Sequence, residues 1–416
     1  MSEETRTLEL RNYPPYWPKL VSVQMDKLLV IAPRVPRYDL FSGSLRLFSI
    51  LEILSKQYEI TYVATTGSID ADSKYISTLE EMGLTVFVKN YSLKDISHRN
   101  KFRLALLEFY STAEYYLPRI KLLQVGCPIA IDSVDVHYLR ERLKYETSGH
   151  KDDLNRSLET RKRELNIYRK AETVITVTEE DANILEKDLP ALETEVIPNV
   201  HRLQISGDEA KKNSLVFVGG FGHDPNIDAV LFFCRDVLPL IRREIPDVTF
   251  TVVGSHPPEE IRALANDSVC VEGYVPSTTP YLHGSYVSVA PLRFGSGMKG
   301  KVGEAMAHGI PVVTTSVGAQ GMNLVNRKTT IIADAPADMS KGIIELLQND
   351  VLYKTLQSNA IEYVRQNLTP DALKERILAA FERMANKRPK RMCLGEKISF
   401  LCSYGVTCLR ALEREI

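Results

Sequence analysis

The sequence has little of what marks secreted, nucleic-acid-binding or membrane-spanning proteins. Its six cysteines form no C-x-x-C pair and no zinc-ligand spacing, which favours reduced thiols over disulfides or a zinc site. Lys and Arg total 52 against 53 for Asp and Glu, so the basic excess typical of a nucleic-acid binder is missing. No apolar run reaches the ~18 residues of a membrane span, and the N-terminus lacks a secretory signal pattern. We expect a cytoplasmic protein that does not bind nucleic acid.

A divalent-metal clamp is also missing from the pattern. The Asp-x-Asp pair Asp70 and Asp72 lies in a polar segment with the composition of a turn. A metal clamp would need its carboxylates beside a phosphate-binding segment, and this pair has no such neighbour. The sequence therefore predicts chemistry without a metal and without a cofactor.

Strand and helix patterns alternate twice along the chain. Short apolar runs at 27–33 and 128–133, and again at 214–221 and 286–292, have the pattern of buried strands. Segments with the helical spacing of apolar residues lie between them. Because this alternation builds parallel sheets covered by helices, the sequence predicts an α/β protein with two doubly wound, Rossmann-like domains. They would face each other across a cleft, with ligands beyond the carboxyl ends of the strands.

Changes in composition divide the chain into five expected segments. These are an N-terminal extension over 1–26, a Rossmann-like domain over 27–198, a second over 199–370, a closing helix over 371–385 and a tail over 386–416. The tail combines the basic run 387–391 with an apolar segment. That combination fits shallow contact with anionic lipid at the inner face of a membrane, or a packed helix after a solvated basic linker.

The stretch PLRFGSGMKGKVGEAMAHGIPVV at 291–313 is the most informative for chemistry. It follows a strand pattern and leads into a helix that we expect to begin near Val302. Glycines let a backbone approach a ligand closely, and the N–H groups of a helix start attract anions. The glycines and cations that alternate here are Gly295, Gly297, Gly300, Arg293, Lys299 and Lys301. The pattern predicts a receptor for a diphosphate, with a solvated basic turn as the alternative.

Glu304 is expected in the first turn of that helix. A carboxylate there is favourable for the helix dipole by ~0.3–1 kcal/mol, which is a purely structural explanation. The other explanation is binding, because acidic residues in dinucleotide sites accept the hydroxyls of a ribose. Both explanations are open on the residues alone.

The run EAMAHGIPVV at 304–313 resembles a motif of glycosyltransferase family 4, whose members are retaining enzymes of the GT-B fold. The resemblance covers roughly 27–385 and implies that Glu304 binds the nucleotide ribose. The family's first motif glutamate would fall on Ser296. This is a departure from the family pattern, and Ser296 with the backbone N–H groups of Gly297 and Met298 are the candidates to take over contacts with the donor sugar and phosphates.

Further donor-side positions follow from the same resemblance. Gly219 and Gly220, in the segment GGFGHDPN, lie where family members place backbone near the donor phosphates. Many members have an Arg and a Lys just after this point, and here Lys299 and Lys301 are the candidates to replace them. Tyr274 lies in a loop that resembles the one meeting the nucleotide base.

Acceptor-side positions are expected in the N-terminal domain. Gly43 and Ser44 resemble the family's glycine-rich acceptor loop, and an ordinary helix N-cap is the alternative. Asp135 and His137 follow a strand pattern, where a carboxylate and an imidazole are candidates for acid–base or positioning work. His137 either contacts the reacting sugar or is structural. Arg46 either meets an anionic acceptor or lies on the surface.

Together, these patterns and the resemblance to glycosyltransferase family 4 predict a metal-independent glycosyltransferase of the hexosyltransferase type, acting in polysaccharide biosynthesis. That the enzyme is retaining is implied by the resemblance alone. It would move a sugar from a nucleotide-sugar donor held by the C-terminal domain to a glycan or lipid-linked acceptor. Catalysis would be electrostatic, with His137, Lys299 and Lys301 as the catalytic candidates. Two alternatives stay open, a sugar-nucleotide epimerase or phosphorylase on the same fold, and a degenerate sugar-nucleotide-binding protein. Ser296 keeps the second one open.

Overall fold

The structure, a computed structural model, describes residues 25–207 and 210–392 together with Gly395 and Lys397. Most of the expected N-terminal extension and most of the expected tail lie outside these residues. None of the described helices combines the length and the apolar character that crossing a bilayer requires.

The N-terminal half folds around seven parallel strands in the order β3-β2-β1-β4-β5-β6-β7. Residues 28–32 are completely buried, because helices cover both faces of such a sheet. The strands are β1 (Asp26–Ala32), β2 (Tyr58–Ala64), β3 (Thr85–Val88), β4 (Leu104–Glu108), β5 (Ile129–Asp132), β6 (Thr173–Thr176) and β7 (Thr194–Val196). The helices are α1 (Ser42–Leu54), α2 (Ser73–Glu81), α3 (Leu93–Arg99), α4 (Tyr110–Leu123), α5 (His137–Ser148), α6 (Lys151–Tyr168) and α7 (Glu179–Asp188).

Two local features of this half differ in how well the sequence predicts them. The charged segment 138–170 forms two helices separated at Gly149, whose φ of +70° is the left-handed value that ends a helix readily at glycine. The segment 101–124 has an amphipathic pattern in sequence and contains both β4 and α4. Residues 104–108 become a strand because all five are buried in the middle of the sheet.

The C-terminal half repeats the architecture with six parallel strands in the order β10-β9-β8-β11-β12-β13. The strands are β8 (Lys211–Val218), β9 (Thr249–Val253), β10 (Val269–Gly273), β11 (Ser285–Ala290), β12 (Val312–Thr314) and β13 (Ile331–Ile332). The helices are α8 (Asp224–Phe232), α9 (Leu238–Glu244), α10 (Glu259–Arg262), α11 (Thr279–His283), α12 (Gly300–Ala307), α13 (Pro336–Gln348) and α14 (Asp350–Asn367), with a π-helical turn at Phe233–Val237 between α8 and α9. The prediction of two doubly wound, Rossmann-like domains is confirmed.

The last described helix, α15 (Pro370–Ala385), returns to the N-terminal half. Leu373, Ile377 and Phe381 recur every four residues, so they form one apolar face. That face packs into the same core as β1, β2 and α1. The chain therefore crosses between the two halves twice, once after β7 and once before α15.

The two sheets place the carboxyl ends of their strands on opposite sides of one cleft. Ser42 of α1 lies so close to Gly300 of α12 that a Cβ on Gly300 would come within 2.6 Å of the Ser42 Cβ. In the loops that follow β11 and β5, the Ser296 hydroxyl donates to the carbonyl of Val136 at 3.2 Å. In doubly wound proteins ligands bind at this edge, so the functional candidates are sought here.

Candidate functional site

The loop between β11 and α12, residues 291–299, is called the Ser296 loop here and reaches across the cleft. Gly297 has φ +69°, a left-handed value that glycine adopts without strain. A Cβ at this position would lie 3.4 Å from side-chain atoms of Asp135 and of Val177, which belong to the opposite half. Ser296 makes its hydrogen bond to the same half. The loop is therefore shaped by contact between the halves as well as by its glycines.

Lys299 stabilises this loop from within. Its Nζ donates to the carbonyls of Gly295, Ser296 and Gly297 at 3.3, 3.0 and 2.6 Å. Burial lowers the pKa of Lys299 to about 8, because leaving water disfavours the charged form. In this conformation its three ammonium hydrogens point to the loop's own carbonyls, so a direct contact with phosphate would require the ammonium to turn.

Lys301 connects the two glycine-rich segments of the C-terminal half. Its Nζ lies 4.5 Å from the centre of the Phe217 ring and donates to the side-chain oxygen of Asn226. The Asn226 amide in turn donates to the Gly220 carbonyl at 2.6 Å. A Cβ on Gly219 would lie 2.9 Å from the Lys301 Nζ, so this position must be glycine for the lysine to fit.

Lys301 is also the most perturbed cation of the site. Burial, and then the like charge of Lys299, lower its pKa to about 7. A nearby anion would restore the charged form. An anion that binds beside Lys301 would therefore be accompanied by uptake of a proton.

Glu304 lies in the second turn of α12, so its expected place in the first turn is wrong. The helix begins at Gly300, two residues before the expected start. The Glu304 carboxylate accepts a hydrogen bond from the Thr278 hydroxyl at 2.6 Å. Burial raises the pKa of Glu304. Tyr274 lies on the same loop as Thr278, just after β10, and is 60% exposed.

Arg293 is tied to a helix rather than to the two lysines. Its guanidinium makes two hydrogen bonds to the carboxylate of Asp228 on α8. It also lies 5.0 Å over the ring of Phe232. A bidentate pair of this kind holds the guanidinium in a fixed plane, so the structure does not bring Arg293 together with Lys299 and Lys301.

On the opposite side of the cleft, Gly43 and Ser44 lie in the first turn of α1. The helix N-cap is Phe41, which makes no side-chain capping bond, so the alternative of an ordinary serine N-cap is wrong. A Cβ on Gly43 would lie 3.5 Å from Val134. This turn therefore packs beside the end of β5, where the next candidates follow.

His137 is the first residue of α5 and faces two carboxylates. Its Nδ1 lies 3.3 Å from an Asp135 oxygen and 3.2 Å from a Glu164 oxygen. Burial opposes charging of the imidazole, but Asp135 and Glu164 outweigh it and raise the pKa of His137. Asp135 also pairs with Arg140. The structure thus brings Asp135 and His137 beside the Ser296 loop.

Backbone strain marks the same edge of the N-terminal sheet. Phe109, just after β4, has φ +66°, and Val134, just after β5, has φ +59°. Positive φ is costly for residues with a side chain, and most of all for a β-branched one. Such strain is found preferentially at functional sites, which agrees with the position of His137 next to both residues.

Arg46 is a structural residue, so both expected roles for it are wrong. It is completely buried and pairs with Asp132 at 2.6 Å. It also donates to the Ile197 carbonyl at 3.1 and 2.9 Å. Glu108 lies in this group at the end of β4, where burial raises its pKa to about 8. Neither an anionic acceptor nor bulk water reaches the Arg46 guanidinium.

Sequence reasoning assigned no role to several polar residues of the site. Asn226, Thr278 and Glu164 each bond to a predicted residue from a distant part of the chain. Asp181, at the start of α7, is buried near Lys299, and burial raises its pKa to about 6. Of these residues, only Asn226 could have been identified from the local sequence, because it follows a glycine-rich turn and a proline at the start of a helix.

Comparison with known proteins places this geometry in context. Residues 212–349 match the family model of glycosyl transferases group 1, a segment that includes Gly219, Gly220, Tyr274, Lys301 and Glu304. The chain is 23% identical over 180 residues to an uncharacterized 44.6 kDa protein in the cps region of Klebsiella pneumoniae. That match covers 41% of this chain and 46% of the relative, so it spans less than half of the relative's length.

Two solved structures share the whole architecture at low sequence identity. Sucrose-phosphate synthase from Thermosynechococcus elongatus superposes with a TM-score of 0.67 at 14% identity, over 86% of this chain and 99% of that one. The HepE protein of Anabaena, in a complex with UDP and glucose, gives 0.63 at 12% identity, over 86% of this chain and 100% of that one. The fold is GT-B.

In this GT-B fold the candidate residues form two facing groups. Lys301, Glu304 and the Gly219–Gly220 turn belong to the C-terminal domain, and Gly43, Asp135 and His137 belong to the N-terminal domain. The Ser296 loop lies between them. Among the described residues, no group of three or more His, Cys, Asp or Glu side chains is arranged to hold a metal ion.

Proposed function

We propose that the protein is a glycosyltransferase that moves a sugar from a nucleotide-sugar donor to a glycan or lipid-linked acceptor. One observation carries the proposal. Lys301 reaches the Gly219–Gly220 turn while Glu304, one turn further along α12, faces Thr278. A cation for phosphate and a carboxylate for ribose hydroxyls are therefore spaced along one helix, at the strand ends that face His137.

The C-terminal domain is the donor side of this proposal, and the group 1 match over 212–349 supports it. HepE of Anabaena, with the same fold, is in a complex with UDP and glucose. This favours a uridine diphosphate hexose as the donor. The relative in the cps region of Klebsiella pneumoniae favours a role in polysaccharide biosynthesis.

The chemistry is electrostatic. Breaking the bond between sugar and diphosphate leaves negative charge on the departing nucleotide, and fixed donors aimed at that charge stabilise the transition state. Lys301 and the backbone N–H groups at the start of α12 supply such donors. Each charge-assisted hydrogen bond contributes ~1.5–3 kcal/mol. His137 faces this region from the other domain and is the proposed contact to the reacting sugar.

Retention of the anomeric configuration and independence from metal ions are part of the proposal. Proton NMR of the freshly formed product would show the donor's anomer if the enzyme is retaining. Turnover that is unchanged by EDTA would support metal independence, and a loss that Mg²⁺ or Mn²⁺ restores would contradict it.

The first experiment is a thermal-shift screen of UDP-, GDP- and ADP-sugars. A ligand at 100 times its dissociation constant adds ~2.7 kcal/mol to the free energy of unfolding, so the cognate donor stands out. Donor hydrolysis and transfer are then measured with that donor. Turnover to transferred product supports the proposal. Binding without turnover points to a degenerate binding protein, and a free altered sugar without acceptor points to an epimerase.

We propose that the protein contacts the inner face of a membrane, but fewer cations of the basic run are available for this contact than the sequence suggests. Lys387 of the basic run pairs with Glu193, and Lys390 donates to the carbonyls of Arg169 and Ala171. Arg388 and Arg391 are exposed. Vesicle co-sedimentation of the full chain and of a chain ending at 385, which lacks the basic run, tests this contact, and equal binding would overturn it.

A further inference from the structure

Glu164 is a completely buried carboxylate on α6, outside every motif of the sequence. Its oxygens accept hydrogen bonds from the backbone N–H of His137 at 3.2 Å and from that of Tyr138 at 3.0 Å. The Tyr168 hydroxyl, also buried, donates to it at 3.0 Å. Glu164 thus satisfies the first two N–H groups of α5, which a helix start leaves without partners, and acts as a cap supplied by another helix.

The same carboxylate holds the His137 ring. Glu164 Oε1 lies 3.2 Å from the ring Nδ1, and Asp135 Oδ1 lies 3.3 Å from it. The Nδ1 atom is buried and makes no well-aligned hydrogen bond with either oxygen, so the attraction is chiefly between charges. Tyr110 and Phe109 meet the ring edge to face, with centroids at 5.2 and 5.8 Å. The ring orientation is therefore determined on several sides.

The two carboxylates differ in how much of their charge is available to the imidazole. Asp135 shares its charge with the guanidinium of Arg140. Glu164 accepts its hydrogen bonds from neutral donors. Among the contacts described above, the His137 imidazole is the neighbour of Glu164 that can carry a positive charge. The titratable groups facing the ring are Asp135, Arg140, Glu164, Tyr168 and Tyr110. Asp135 has the larger effect on the ring, but part of it is offset by Arg140, whereas Glu164 raises the pKa of His137 both by its charge and by its position at Nδ1.

The exposed part of His137 lies on its other edge. The side chain is 20% exposed, and because Nδ1 is buried, that exposure belongs to the rest of the ring. The Ser296 hydroxyl bonds to the carbonyl of the preceding residue, Val136, so the start of α5 adjoins the Ser296 loop. With Nδ1 buried, Nε2 is the ring nitrogen on the more exposed side of the imidazole.

We propose that Glu164 is the positioning residue for His137. Its carboxylate caps α5 and keeps Nδ1 turned inward, so that Nε2 is directed to the cleft, and its charge favours the protonated form of the ring. What Nε2 contacts there, a sugar hydroxyl or a phosphate oxygen, rests on the proposed function. The role of Glu164 toward the ring does not.

The test is an NMR titration of the His137 ring in the full chain, with His137→Asn used to assign the signal. Glu164→Gln keeps shape and burial but removes the charge, and we expect the pKa of His137 to fall by about one unit or more. Glu159→Gln, an exposed change on the same helix, is the matched control and should leave it unchanged. An unchanged His137 pKa in Glu164→Gln, with only a lower Tm, would show that Glu164 is merely structural.

Tyr168→Phe covers the case in which Glu164→Gln does not fold. It removes one hydrogen-bond donor from Glu164 and concentrates the carboxylate charge on the imidazole, so the pKa of His137 should rise. No shift in that variant would also overturn the proposal. Where the wild type turns over a UDP-sugar, the alkaline limb of kcat/KM should move to lower pH in Glu164→Gln. A wild type without turnover would refute the proposed function alone, because the titration needs no substrate.

Discussion

Donor binding should depend on pH through Lys301, a half-buried residue whose ammonium group lies over the Phe217 ring. Burial and the charge of Lys299 hold its pKa at about 7, while Glu304 acts in the opposite direction. A bound diphosphate favours the ammonium form and raises this pKa. Binding then takes up a proton, so affinity is full below the free pKa and is lost as the pH rises through it.

The size of the effect follows from that pKa. If the ammonium form alone binds the diphosphate well, the Kd increases by a factor of 1 + 10^(pH − pKa). With a pKa of about 7, this factor is ~1.1 at pH 6, ~11 at pH 8 and ~100 at pH 9. A nucleotide sugar suits the measurement because its diester phosphates do not titrate in this range.

Isothermal titration calorimetry in buffers of different ionisation enthalpy measures both the Kd and the number of protons taken up on binding. For wild type at pH 8 we expect an uptake of ~0.9 proton per donor bound. Lys301→Met should bind ~10–100-fold more weakly at pH 6, the loss of one charge-assisted bond, with no further weakening up to pH 9. Arg235→Met, which removes an exposed guanidinium paired with Asp236, is the control. A flat wild-type profile together with unaltered binding by Lys301→Met would refute the reasoning.

Three further outcomes are expected. Asp132→Asn should lower the free energy of unfolding by ~3–5 kcal/mol in urea titrations, because it leaves the Arg46 charge buried without its partner. Adding Arg46→Met should recover much of that loss, and no recovery would contradict the explanation. Gly303→Ala should cost ~1–3 kcal/mol, since its Cβ would lie 2.5 Å from the buried His201 ring, and His201→Ala in the same chain should relieve the clash. Glu304→Gln should weaken UDP-sugar binding about tenfold yet leave pyrophosphate inhibition unchanged; equal losses for both ligands would exclude a ribose contact.

The glycine-rich segment 291–304 shows how much can be predicted from local sequence. Its order of strand, glycine-rich loop and helix is written in one stretch of chain, so Lys299, Lys301 and Glu304 can be singled out from residue types alone. The environments of these three side chains cannot be predicted from residue types. Lys299 turns back onto the carbonyls of its own loop, whereas Lys301 reaches Asn226 of another segment. Arg293 has the same formal charge but is tied to Asp228.

The facing site in the N-terminal domain was harder to predict for the same reason. Asp135 and His137 follow a strand pattern and could be named, yet Glu164 lies on the next helix of a charged segment that reads as solvent-exposed. The strain at Phe109 and Val134 has no counterpart in composition. Arg46 illustrates the reverse error, since a charged residue on a helix carries no local sign that it will be buried beside Asp132.

By itself the sequence determined the two alternating α/β halves, the order of their elements and the glycine-rich segment with its lysines, because apolar periodicity and glycine placement act over a few neighbouring residues. Tertiary structure alone decided which charges are buried, which are paired and which face the cleft. Those properties depend on contacts between segments far apart in the chain, such as Glu164 with His137 and Asn226 with Lys301, and on the loss of water around them.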